Sequence, residues 1–271
     1  MTHSRPAIAA LLEEFGLSPS RALGQNFVVD PNTVRKIARL ARVQEGDLVL
    51  EIGPGLGSLT LALAETGATV EAIEVDRHLL APLRRVVEPV GVVVHHADAL
   101  HADYQEILQG RSAVVVANLP YNVATPLILH LLETVPQVTR LLVMVQLEVA
   151  ERFAAQPNDE AFGAVSLRTA YFATAKVVGK VPASVFLPRP KVESGLLEVT
   201  RREELLISPH RVSEAALFDA VRTAFAQRRK MLRHTLKAWA TDEVFARAQV
   251  DPTARPETLS LEDFARLVES R

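Results

Sequence analysis

Leu48-Val49-Leu50-Glu51-Ile52-Gly53-Pro54-Gly55-Leu56-Gly57 carries an apolar strand into a turn with a glycine at every second position. Glycine admits positive φ and lets the backbone come close to a ligand. A helix that starts after such a turn aims free amides at what is bound there. The spacing is G-x-G-x-G, whereas dinucleotide sites have G-x-G-x-x-G, and Glu51 stands two residues before the first glycine. Taken alone, a strand, a glycine turn and a helix also make an ordinary tight turn of an α/β protein. Glu74 ends the next apolar run about 20 residues on, where an acid can hold both ribose hydroxyls of a nucleoside. Asp98 follows the third run, in the place from which a carboxylate reaches the exocyclic amine of an adenine.

Outward from this turn, Val-, Ile- and Leu-rich runs predict strands at 48–52, 69–75, 91–95, 113–117 and 140–145. Their spacing of about 20–25 residues suits βα units of a parallel sheet, with helices at 58–65, 77–87, 125–133 and 148–155 filling the gaps. Residues 170–178 and 194–200 read as two further strands, an antiparallel pair joined by a Pro-rich connection that closes the sheet edge. The expected fold is therefore α/β, a doubly wound, mostly parallel seven-stranded sheet. From about residue 206 the texture is helical: Leu217, Val221, Ala224 and Phe225 recur at helical spacing, as do Leu232, Leu236 and Trp239. Ser213 is a fair N-cap, and Pro31 fits the first turn of an early helix. The expected division is 1–205 for the sheet domain and 206–271 for a small all-helical domain.

The 271 residues contain no cysteine, which excludes disulfides, thiolate zinc sites, iron–sulfur clusters and thiolate nucleophiles. A pyrimidine C5-methyltransferase of the thiolate type is excluded with them. The longest apolar runs are too short to span a bilayer, and the first residues lack the order of a signal peptide, so a cytoplasmic protein without a membrane partner is expected. The formal net charge is −2, which at first argues against nucleic acid. Along the chain it divides into +3 for residues 1–42, −10 for 43–160, +5 for 161–192 and 0 for 193–271. Within the last segment, Arg222, Arg228, Arg229, Lys230, Arg233 and Lys237 lie in a stretch without an acid. A charge run is commonly a solvated helix face. Acid-poor stretches flanking an acidic block also suit a polyanion laid along the molecule, and these six residues are the candidate contacts for its phosphates.

After the fourth strand comes Asn118-Leu119-Pro120-Tyr121. Such a turn is often only an Asx-type turn with a packed tyrosine. Here it leaves the strand beside the glycine turn, where a reacting group belongs. Adenine N6 is a poor nucleophile because its lone pair is delocalised into the ring. Hydrogen bonds from N6–H to the Asn118 side-chain oxygen and to a carbonyl at Leu119 or Pro120 would draw that nitrogen toward sp3. The Tyr121 ring can stack on the base and favour a neighbouring cation. This chemistry fits methylation of an exocyclic amine. No strong general base is needed, because the methylated amine becomes acidic once it carries positive charge, and the main task is alignment of N6 with the methyl carbon of a donor.

These residues resemble the ribosomal RNA adenine dimethyltransferases, and most of all the bacterial type that dimethylates two adjacent adenosines near the 3′ end of small-subunit rRNA. Glu51–Gly57, Ile73–Asp76 and Ala97–Ala99 are similar to the donor-binding motifs of that family. Leu23–Phe27 is similar to its N-terminal motif, and Asn118–Tyr121 to its catalytic tetrapeptide. Phe186-x-Pro188-x-Pro190-Lys191-Val192-x-Ser194 resembles its late motif, and Phe225-x-Gln227-Arg228-Arg229-Lys230-x-Leu232 its C-terminal helix signature. The resemblance implies S-adenosylmethionine as donor and S-adenosylhomocysteine as product, with no metal. It implies that Asn26, the main chain at Val28, Gly53, Gly55, Glu74, Asp98 and Asn118 hold the donor. It implies further that Asn118, Leu119, Pro120 and Tyr121 hold a flipped adenine, with Phe186 over its other face. A monomer acting on rRNA in a pre-assembled 30S-type particle, with a part in small-subunit biogenesis, is the implied setting. The alternatives are a large-subunit rRNA dimethylase, a nicotinamide-dependent oxidoreductase, which gives Asn118–Tyr121 no role, and a non-enzymatic ribosome-assembly factor.

Overall fold

The computed structural model describes residues 3–20 and 23–271. Seven strands form its main sheet: β1 (Leu48–Ile52), β2 (Thr69–Glu74), β3 (Val93–His96), β4 (Ala113–Asn118), β5 (Val138–Gln146), β6 (Ala173–Val181) and β7 (Ser194–Arg201). Their spatial order is β3-β2-β1-β4-β5-β7-β6. The first five strands are parallel, with Ile52 beside Ile73, Glu51 beside Val116, and Asn118 beside Met144. β7 is antiparallel to β5, with Ser194 opposite Gln146. Strand order reverses between β1 and β4, so the connections leave in opposite directions there and open a crevice at the strand C-termini. The glycine turn and Asn118–Tyr121 both emerge at that crevice.

The five parallel strands lie within a few residues of their predicted positions. For all but the half-exposed edge strand β3 the reason is that strands buried on both faces read as nearly unbroken apolar runs. All five residues of β1 are buried. The early helix Pro31–Ala41 also starts as expected. Pro31 occupies its first turn, and Asp30 caps it by accepting from Asn32 and Thr33 N–H at 3.3 and 2.9 Å. Its buried residues Val34, Ile37, Ala38 and Ala41 make one apolar stripe in the same core cluster as Val49, Leu63 and Leu142.

The chain divides into two compact units, neither contiguous: Met1–Ala150 with Val177–Thr200, and Glu151–Lys176 with Arg201–Arg271. The first holds the crevice. The second differs from the expected 206–271 by including 151–176 and 201–205. Residues 170–172, expected as strand, end a helix at Ala164–Phe172. Tyr and Phe favour strands, but Leu167, Tyr171 and Phe172 bury one side of that helix. Tyr171 stands edge-on to Phe218 at 5.4 Å, and Phe225 packs between Phe162 and Phe264. These contacts form a core of their own for the second unit. Ser213 caps the helix Glu214–Phe225 through Ala216 N–H at 3.3 Å, as expected. The spacing of Leu232, Leu236 and Trp239 overstates the next helix, which covers only Leu232–Thr235.

Candidate active site

Gly53, Gly55, Glu74, Asp98, Asn118, Asn26 and Val28 line one cavity at the crevice, together with Leu119 and Pro120. Widely separated segments thus bring together every predicted donor-contacting residue. Gly55 has φ +60°, and a Cβ there would stand 2.9 Å from the Phe27 ring. The glycine therefore lets the N-terminal segment close down on the turn. Tyr121 and Phe186 are not among the lining residues. Phe186 is 1% exposed and sits in the core cluster with Val28, Val34 and Leu196. Its backbone pairs with Val28 in a short antiparallel ribbon, Phe27–Val28 with Phe186–Leu187, which turns the ring inward. The structure thus does not bring the two aromatic rings to the cavity.

Glu74 accepts from Gly55 N–H at 3.1 Å and from Asp76 N–H at 2.8 Å, one on each carboxyl oxygen. Each oxygen keeps a second lone pair for a hydroxyl donor. Burial raises its pKa, and the two amides work against that rise. Asp98 is held below the ordinary carboxylate range, chiefly by the Leu100 N–H on its Oδ1, so it is an acceptor at neutral pH. Gln25 donates to Asp76 at 2.8 Å and ties the N-terminal segment to the end of β2.

Glu51 is the cavity acid to which the sequence assigned no role. It is 1% exposed, its Oε2 has no hydrogen-bond partner, and burial pushes its pKa up to about 8. Between its ordinary value of 4.5 and 8 the folded state holds a proton that the unfolded chain has lost. Stability from this group is therefore complete below pH 4.5 and is lost as pH rises toward 8, by at most about 1.4 kcal/mol per pH unit. Glu51→Gln should flatten that part of the profile in urea unfolding measured from pH 5 to 8. An unaltered slope would assign the dependence to other groups.

At the end of β4, Asn118 Nδ2 donates to the Asn26 carbonyl at 2.8 Å. This commits the amide nitrogen and leaves Oδ1 as the free acceptor. The Pro120 carbonyl accepts from Val123 and Ala124 N–H at 3.2 and 3.1 Å, where it starts the helix Ala124–Thr134. Of the two carbonyls considered from sequence, Leu119 O is the one not used in that way. The Tyr121 phenol and the Ser194 hydroxyl share a hydrogen bond of 2.9 Å.

In the second unit, all six predicted RNA contacts are exposed. Arg228, Arg229 and Lys230 lie in a turn after the helix Glu214–Phe225 and not on a helix, contrary to the motif-based expectation. Arg222 pairs with Asp219 at 2.5 Å, and Arg228 donates to the Glu160 carbonyl at 2.6 Å. Arg229 and Lys230 line a shallow cleft with Gln227, Met231, His234 and Arg255. Arg255 was not foreseen, because it stands alone in a distant Pro-containing connection. Arg233 and Lys237 lie outside the cleft lining.

A family model of ribosomal RNA adenine dimethylases matches residues 17–271. The chain is 44% identical over 275 residues to ribosomal RNA small subunit methyltransferase A of Thermobifida fusca, covering 97% of this chain and 94% of that relative. It is 43% identical over 278 residues to the protein of the same name from Mycobacterium tuberculosis, covering 97% and 86%. Among solved structures, the 23S rRNA methyltransferase ErmE matches with a TM-score of 0.72 at 25% identity, covering 90% of this chain and 98% of that one. A dimethyladenosine transferase from Plasmodium falciparum shares the fold, with a TM-score of 0.74 at 24% identity and 88% and 94% covered. A glycine turn and an Asn-Leu-Pro-Tyr turn on neighbouring strands of one seven-stranded sheet, with a family match over nearly the whole length, lead to one conclusion: this chain belongs to the ribosomal RNA adenine dimethylase family.

Proposed function

We propose that the protein transfers methyl groups from S-adenosylmethionine to N6 of two adjacent adenosines near the 3′ end of small-subunit rRNA, giving N6,N6-dimethyladenosine. The observation that carries this is the Asn118 amide, pinned through its nitrogen at the lip of a nucleoside-sized crevice with its oxygen left to accept. The names of the relatives at 43–44% identity favour the small subunit. S-adenosylmethionine supplies an electrophilic methyl group on a sulfonium centre. The residues present fit such a nucleoside: the turn at Gly53 and Gly55 offers close backbone, Glu74 has lone pairs for ribose hydroxyls, and Asp98 is an ionised acceptor for the adenine amine. Asn26 and the Val28 main chain complete that set.

The target amine donates its two N–H groups to Asn118 Oδ1 and Leu119 O. That loosens N6 from ring conjugation and aims its lone pair. Once methylated, the nitrogen is positively charged and acidic, so its proton leaves without a dedicated base. The Tyr121 ring, which stands between the lining residues Pro120 and Asn122 just outside the cavity itself, stacks on the base, which is extruded from its own stack before reaction. A loop adenosine costs less to extrude than a paired one. Phe186, as the cover on the other face, would need its ring turned out of the core. The setting is a cytoplasmic monomer acting on rRNA in a pre-assembled 30S-type particle, during small-subunit biogenesis. Among the described residues no helix is long and apolar enough to cross a membrane.

The test is mass spectrometry of unmodified small-subunit RNA, free and in subunits, after incubation with S-adenosylmethionine. Dimethyladenosine near the 3′ end is the expected product. Modification of large-subunit RNA alone would overturn the substrate assignment. The exposed bases of the second unit, Arg222, Arg228, Arg229, Lys230, Arg233 and Lys237, are assigned to phosphates. Replacing Arg228, Arg229 and Lys230 together by Ala should weaken RNA binding about 10-fold or more near physiological salt. It should also reduce the log–log salt slope by about 2, at roughly 0.7 per phosphate contact for single strands. An unchanged slope would make the run a solvated face.

A further inference from the structure

Ser194 is 0% exposed at the first position of β7, and its hydroxyl meets the Tyr121 phenol at 2.9 Å. A buried hydroxyl is costly unless bonded, so this pairing is a built contact. Ser194 faces Gln146 across β5 and β7, while Asn118 faces Met144 across β4 and β5. Both residues therefore lie at the same edge of the sheet, on either side of β5. Tyr121, three residues beyond Asn118, reaches over the end of β5 to the hydroxyl. Among the described residues this is the phenol's only hydrogen bond. Burial raises the Tyr121 pKa against the opposing effect of Ser194, so the phenol is neutral and able to donate at physiological pH. A tyrosine side chain has two free torsions: a bond at the phenol oxygen, which lies on the ring's own axis, stops the swing about χ1, and the preference of the O–H for the ring plane resists turning about χ2.

We propose that Ser194 is a positioning residue for methyl transfer: through the Tyr121 phenol it fixes the ring against which the target adenine stacks. This rests on the adenine-N6 reading given above. Ser194 touches no substrate. Its effect is to lower the number of ring orientations that the arriving base must select from.

The test is a double-mutant cycle with Ser194→Ala and Tyr121→Phe, assayed on unmodified small-subunit particles beside the wild type. Each single variant should lower kcat about five-fold, the size set by one hydrogen bond. The double variant should be no slower than either single one. Affinity for S-adenosylhomocysteine should stay within two-fold of wild type. In RNA carrying 2-aminopurine at the target, stacking on the ring quenches fluorescence, and each variant should weaken that quench. Multiplied losses in the double variant, or unchanged kcat and quench in Ser194→Ala, would overturn the proposal. If Ser194→Ala does not fold, Tyr121→Phe decides alone, and full activity there overturns it. A wild-type protein that methylates no adenine N6 removes the underlying reading instead, and is thereby distinguished from variants that match an active wild type.

Discussion

Asn118→Ala is expected to lower the rate of methyl transfer by about 10²–10³-fold, the range for loss of one preorganised polar group at a reacting centre. The substitution removes Oδ1, which accepts from the amine, and Nδ2, which is bound to the Asn26 carbonyl at 2.8 Å. It also frees that carbonyl and slackens the N-terminal segment over the cavity. Donor affinity should fall less, by about 10-fold at most, because Gly53, Glu74 and Asp98 remain in place. Single-turnover assays beside calorimetric titration with S-adenosylhomocysteine separate the two effects. Asn118→Asp is the sharper comparison. It keeps an acceptor but turns the nitrogen into an oxygen facing the Asn26 carbonyl, so its amine-binding edge rotates or repels. Near-normal turnover in Asn118→Ala would refute the assigned role.

The second large effect falls on stability. Gly57 has φ +82° and precedes the helix Ser58–Ala64. An added Cβ would lie 2.7 Å from Val87 Cγ1 and 3.3 Å from Val86 Cγ1. Gly57→Ala thus combines a left-handed backbone, about 1–2 kcal/mol, with overpacking of about 1–3 kcal/mol against a buried side chain. A loss of roughly 2–5 kcal/mol should appear as a lower urea midpoint with an unchanged slope. Adding Val87→Ala should relieve only the steric part, so the double variant should be less unstable than the sum of the two. Strict additivity would mean that Val87 is not the obstacle.

The sheet and the donor cavity were legible because their signals are local. β1, β2, β4 and β5 are largely buried apolar runs, and the residues at their C-terminal ends are short motifs on fixed strands. Legibility failed where tertiary contacts override local preference. Ala170, Tyr171 and Phe172 look extended, yet they finish a helix whose aromatics fill the second unit. Arg228–Lys230 matched a helical motif but form a turn, since the helix ends at Phe225. Phe186 was assigned to a base face and lies in the core, because its ribbon pairing with Val28 cannot be read from either segment alone. Ser194 was legible only as the last residue of the late motif, with no role of its own: folding places it against a tyrosine 73 positions away. Arg255 was missed for the same reason, being distant in sequence from Arg229 and Lys230.

The division into two interleaved units constrains how the chain is made. Synthesis proceeds from residue 1, and β5 is complete while β7, its antiparallel neighbour, is still to come. The nascent chain must extrude 151–176, whose Tyr171 has its aromatic partner Phe218 more than forty residues downstream, before residues 177–200 return to the first unit. The sheet can therefore reach its final edge before the second unit has the residues to bury its own core. No single cut yields two whole pieces: cleavage after residue 200 leaves 151–176 stranded on the wrong fragment. A separately expressed helical module needs that segment joined to it, and a minimal sheet module needs the excursion replaced by a linker between residues 150 and 177, which shortens β6 by its first four residues, Ala173–Lys176.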